Sequence, residues 1–76
     1  DRELVLMRVT ATKETRAEVV QLCDIFRAKV VDIQPTNLVI ELTGHDAKIT
    51  KFLKMMTPFG ITDLARTGKV AMVRTE

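Results

Sequence analysis

The sequence holds one thiol and one imidazole, Cys23 and His45, and any nucleophilic catalysis would have to be built from them. A cysteine nucleophile needs a base within hydrogen-bond reach. Cys23 falls instead between Leu22 and Phe26 on an apolar stripe, where it reads as a core thiol. His45 follows Gly44 at the start of a helix, where it reads as a turn or capping residue. One Cys and one His cannot supply a clustered metal site, no paired acidic motif replaces them, and neither a G-x-G-x-x-G nor a P-loop is present. No catalytic residue, metal or cofactor is therefore expected. Lys48, Lys51 and Lys54 line one flank of a helix, a pattern read as a solvated face.

Composition narrows the classes further. Residues 1–76 have room for one core and are read as a single domain. The apolar fraction is 46%, yet the only aromatics are three Phe, so the core is aliphatic. A chain this short buries only about 60% of the surface its unfolded form exposes, which leaves a thin stability margin and points toward a partner. The formal charge of +2 is too weak a field for a dedicated polyanion binder, and the balance of charge and apolar content is that of a folded domain. A lone Cys cannot form an internal disulfide, which fits a reducing compartment. No apolar run approaches the roughly 20 residues that span a bilayer, and no signal-peptide core is present, so no membrane role is expected. The chain begins with Asp1, not Met, and is expected to start inside a longer protein.

The elements that would carry these residues follow from periodicity. Glu3 to Thr10 alternates, with Leu4, Leu6 and Arg8 on one side and Val5, Met7 and Val9 on the other, so both sides are largely apolar. Thr15 and Glu18 match a capping box, predicting a helix start, and Val19, Leu22, Cys23 and Phe26 form its stripe to near Ala28. Lys29 to Gln34 reads as a strand with Val31 and Ile33 opposite Val30 and Asp32. Pro35-Thr36-Asn37 turns the chain into a strand over Leu38 to Thr43. Gly44 breaks that run, and a second helix capped by His45 or Asp46 carries Ile49, Phe52, Leu53 and Met56 until Pro58 and Gly60 end it. Ile61 to Arg66 is a fourth strand. Thr67-Gly68 is expected to bend the chain into a short extension over Val70 to Arg74.

The order is β-α-β-β-α-β, and each helix stripe precedes a similar strand (Val30 to Ile33, Ile61 to Leu64). Two right-handed βαβ halves predict an α+β, ferredoxin-like antiparallel sheet of order 4-1-3-2 with both helices on one face. The charged strands bearing Asp32 and Asp63 would be its edges. Because helices cover one face only, either Leu4 and Leu6 or Val5, Met7 and Val9 should lie uncovered. With the third strand and Val70 to Val73, that set makes an apolar patch expected to associate with another molecule. The competing expectation is that the C-terminal segment folds over it. RNA-recognition modules share this order but stack bases on strand aromatics. Here the third strand has none and carries Glu41, so no nucleic-acid binding is expected. Met55, off the second stripe, is the candidate surface methionine.

Three segments resemble a known family: RELVLMRV from Arg2, DIFRAKVVDI from Asp24 and FGITDLARTGKVA from Phe59. They are similar to the C-terminal domain of the regulatory small subunit of acetohydroxyacid synthase, also called acetolactate synthase. The resemblance covers essentially the whole chain, and IFRAKVVDI and ARTGKVAMVR are its specific parts.

The resemblance implies regulation of branched-chain amino-acid synthesis. In that family a thiamine-diphosphate-dependent catalytic subunit performs the carboligation, and the small subunit raises its activity and confers feedback inhibition, commonly by valine. In that family the effector binds an N-terminal ACT domain, which is expected to precede these residues. The loop from Thr10 to Glu14 lacks the glycine with which ACT sites bring backbone close to a ligand carboxylate, so no valine site is carried over. The implied role is a non-catalytic, ACT-like module that forms a homodimer and helps the small subunit contact its catalytic partner, in a bacterial cytoplasm or a plastid stroma. Candidate partner contacts are Arg27, Arg66, Thr67, Gly68 and Met55, and candidate association residues are Leu4, Leu6, Val5, Met7 and Val9. A C-terminal helix cation is the structural alternative for Arg27, and turn geometry that for Thr67-Gly68. The alternative function is an independent ACT-like amino-acid sensor.

Overall fold

Alternation along the first segment produces β1 (Arg2–Thr10), and the two amphipathic stripes produce α1 (Arg16–Phe26) and α2 (Asp46–Met56). Between and after them lie β2 (Lys29–Ile33), β3 (Asn37–Gly44) and β4 (Ile61–Val70). The computed structural model describes residues 2–70, with side chains through Gly68. The strands form one antiparallel sheet in the order β2-β3-β1-β4, so the two most apolar strands are central and the aspartate-bearing strands are edges, as predicted.

The covered face is settled by burial. Val5, Met7 and Val9 of β1 and Leu38, Ile40 and Leu42 of β3 are buried with Val19 and Cys23 of α1 and Ile49, Phe52 and Met56 of α2. The edge of one ring, Phe26 or Phe52, meets the other at 5.0 Å between centroids. Val5, Met7 and Val9 are therefore core and cannot form the association face. Leu4 and Leu6 are the pair that the described residues leave uncovered, Leu6 at 43% exposure, and the expected fold-back of the C-terminal segment over them lies outside the described residues.

Several local expectations need correction. Thr15 does precede α1, but its side chain makes no cap bond. Its hydroxyl accepts the Thr12 N–H at 2.9 Å, closing the preceding turn instead. In β2 the simple alternation fails, because a register shift at Val31 puts Val30 opposite Ile40 and Ile33 opposite Leu38 on the helix-facing side. One inserted residue re-phases everything after it. Thr67-Gly68 likewise does not end a strand: β4 runs through it to Val70, with a register shift between the partners of Glu3 and Val5. Beyond Val70, the expected extension to Arg74 lies outside the described residues.

Candidate interaction surfaces

The first candidate site is the corner where β4 meets β1 beneath the start of α2. Glu3 shares the helix-facing phase of Val5, Met7 and Val9 and is 7% exposed. Arg66, opposite Val5, donates from Nε and from one terminal nitrogen to the two Glu3 oxygens, both at 2.7 Å, and lies 3.7 Å from the Asp46 carboxylate at the start of α2. A two-pronged guanidinium–carboxylate pair is geometrically specific and stronger than a single contact. The Glu3 hydrogen bond, reinforced by both carboxylates, raises the Arg66 pKa further and keeps it charged.

Thr67 and Gly68 complete this corner as structure. The Thr67 hydroxyl accepts the Leu4 N–H at 3.0 Å and lies within donating reach of the carbonyls of Leu4 and Gly68, replacing strand pairing lost at the register shift. Gly68 has φ of +73°, a left-handed conformation that side chains disfavour.

Arg27 belongs elsewhere. It sits at φ of +58° just past α1, its N–H donating to the Asp24 carbonyl at 3.2 Å while the Ala28 N–H donates to the Cys23 carbonyl at 2.8 Å. That pair of bonds is the Schellman motif, normally closed by glycine. Arg27 leads into edge strand β2, whereas Arg66 lies on the opposite edge strand and Met55 on the outer side of α2. The five candidate contacts do not form one surface.

The open sheet face carries Leu4, Leu6 and Arg8 from β1, Val39, Glu41 and Thr43 from β3, and Asp63 and Ala65 from β4. Its apolar strip is narrower than expected, since only Val39 of the third strand's aliphatic residues points this way. Leu6, Val39 and Ala65 floor a shallow depression bordered by Arg8 and Asp63. Arg8 is held by Asp63 at 3.1 Å and by the Asn37 side chain at 2.9 Å.

Cys23 lies in the core, where burial, with help from the Asp24 charge, pushes its thiol up to about 11. Such a thiol is a poor nucleophile. His45 precedes α2 in extended conformation, and its carbonyl accepts the Ile49 N–H at 3.1 Å. Among the described residues no three His, Cys, Asp or Glu side chains gather closely enough to hold a metal ion. No helix among them is long and apolar enough to cross a membrane.

Sequence reasoning missed two anchors. Glu3 had a signal, being an acid in phase with a core set, which requires a cation partner. Arg16 had none: its terminal nitrogen reaches the carbonyls of Gln34 at 2.6 Å, Pro35 at 2.7 Å and Ala11 at 3.3 Å, tying the β1–α1 loop to the β2–β3 turn.

Comparison with known proteins decides among the many proteins that share this topology. The family model described as the small subunit of acetolactate synthase matches residues 2–75. The chain belongs to this family, as its C-terminal domain. A probable acetolactate synthase small subunit from Archaeoglobus fulgidus is 51% identical over 74 residues, covering 97% of this chain and 46% of that protein. The chloroplastic acetolactate synthase small subunit 1 of Nicotiana plumbaginifolia is 46% identical over 74 residues, again 97% of this chain but 16% of the relative. Among solved structures, the acetolactate synthase small subunit from Thermotoga maritima superposes with a TM-score of 0.85 at 36% identity, covering 99% of this chain and 46% of that one. This member of the acetolactate synthase small-subunit family thus spans less than half the length of these relatives.

Proposed function

We propose that this chain is a non-catalytic regulatory module of acetohydroxyacid synthase. It contributes to self-association of the small subunit and to activation and feedback regulation of the thiamine-diphosphate-dependent catalytic subunit. The observation that carries the reading is the match of residues 2–75 to a family whose relatives, up to 51% identical here, are named as acetolactate synthase small subunits. In this reading the effector amino acid binds an ACT domain preceding these residues in the whole subunit. The subunit then works in a bacterial cytoplasm or a plastid stroma.

The open sheet face supports the self-association part. Leu6 and its neighbours Leu4, Val39 and Ala65 form an apolar strip bordered by the Arg8–Asp63 ion pair and by Glu41 opposite Leu6, so a second copy can cover the apolar residues provided it leaves Glu41 in water or brings it a cation. The independent-sensor reading gains nothing from the β1–α1 loop. There Thr12 is bonded to Thr15, and Arg16 takes the Ala11 carbonyl, so the loop's polar groups serve each other.

The test adds the full-length small subunit containing this chain to its catalytic subunit and follows acetolactate formation with and without valine. Faster product formation that valine suppresses is expected. No association and no change in rate would defeat the reading. Calorimetric binding of a branched-chain amino acid to residues 1–76 alone would favour the sensor.

A further inference from the structure

The charge of this domain is unevenly placed. Helix α2 holds Lys48, Lys51 and Lys54 against Asp46 alone, so its net charge equals the +2 of the whole chain. Asp46 sits beside Arg66 at the helix start, and the Lys48 ammonium donates to the Thr43 carbonyl at 3.3 Å. Lys51 and Lys54 have no carboxylate within ion-pair distance among the described residues. Lysines three residues apart repel along a helix, and α2 has no carboxylate three or four residues from Lys51 or Lys54 to offset that cost, although Lys54 gains from its place in the last turn.

The same face has shape. The small side chains of Ala47 and Thr50 leave a shallow groove walled by Lys51, Lys54 and Met55. Met55 is 42% exposed and points away from the buried Ile49, Phe52 and Met56. A flexible thioether beside two unpaired ammonium groups suits an apolar side chain flanked by carboxylates.

We infer that the outer face of α2 docks an acidic, apolar-tipped segment of the catalytic subunit, an inference that rests on the regulatory reading above. Protein is favoured over nucleic acid for two reasons. Three lysines neutralise too few phosphates for useful affinity, and the face has no aromatic on which a base could stack.

The experiment measures binding of full-length small subunit to purified catalytic subunit at low and high salt, comparing wild type with Lys51→Glu/Lys54→Glu and with Met55→Ala. The charge reversal is expected to weaken binding about tenfold or more at low salt, with the gap narrowing as salt rises. Met55→Ala is expected to weaken binding several-fold at both salts. Circular dichroism and small-subunit self-association should be unchanged. If the reversal perturbs folding, Lys51→Gln/Lys54→Gln reads the same contact. Binding by wild type that neither the charge variants nor Met55→Ala weaken overturns the docking surface and leaves the regulatory reading standing. Wild type that neither binds nor alters acetolactate formation overturns both. Charge variants that lose affinity for a single-stranded oligonucleotide, but not for the catalytic subunit, assign the face to nucleic acid and overturn the inference.

Discussion

Burial and the neighbouring Asp24 charge hold the Cys23 proton up to about 11, against an ordinary value near 9. The unfolded thiol ionises first, so between those values the native state binds more protons. This contribution to stability is complete below pH 9 and is lost as pH rises toward 11. Urea unfolding at a series of pH values should show a steeper decline there for wild type than for Cys23→Ala. Ellman's reagent should label the native thiol only as fast as the core opens. At the corner, Arg66→Ala takes the two-pronged partner from a nearly buried carboxylate and should lower Tm by several degrees, with Arg66→Lys intermediate because it keeps the charge but loses the fork. Glu3 was legible as an anomaly in the odd-numbered core set. Its partner was not, because sequence distance says nothing about which edge strand will bring a cation beside it.

At the level of elements, Arg27 occupies a backbone position made for glycine. Arg27→Gly should stabilise the domain by about 1 kcal/mol, read as a higher urea midpoint. If Arg27 also contacts the catalytic subunit, the same variant binds more weakly despite being more stable. Gly68→Ala should act oppositely. Its site is open, with nothing within 4 Å of an added Cβ, so a loss of about 1 kcal/mol would come from the positive φ alone. Both helices, all four strands and their order were legible because the 3.6 and 2.0 periods are written in Val19 to Phe26, Ile49 to Met56, Glu3 to Thr10 and Leu38 to Thr43. The shifts at Val31 and Thr67 were not. An inserted strand residue is recognised only against the partner it fails to pair with. Thr15 shows a related limit, since its position before the helix was readable while the choice of its hydroxyl for Thr12 depended on the loop geometry.

Across the whole molecule, Val5 and Leu6 are adjacent in sequence and opposite in consequence. Val5→Asp places a carboxylate in the core and should unfold the domain, whereas Leu6→Asp adds a charge to the open face and should leave the fold intact. Light scattering on full-length small subunit tests the association reading. Leu6→Asp should shift the population toward the smaller species without changing the circular dichroism spectrum, and an unchanged mass would remove the open face from the interface. The even-numbered strip was readable as one of two alternatives, and only the side on which the helices pack chose between them.

The pairing of Arg2 with Val70 has a mechanical meaning. Strands β1 and β4 are antiparallel, so tension applied between residues 2 and 70 meets the ladder from one end and opens it a bond at a time, without shearing the whole strand at once. The Arg66–Glu3 clasp stands close to that end, while Arg16 fastens loops remote from the pull. A load transmitted through this corner would therefore test one ion pair before it tests the core, and forced unfolding should begin at the β1–β4 seam.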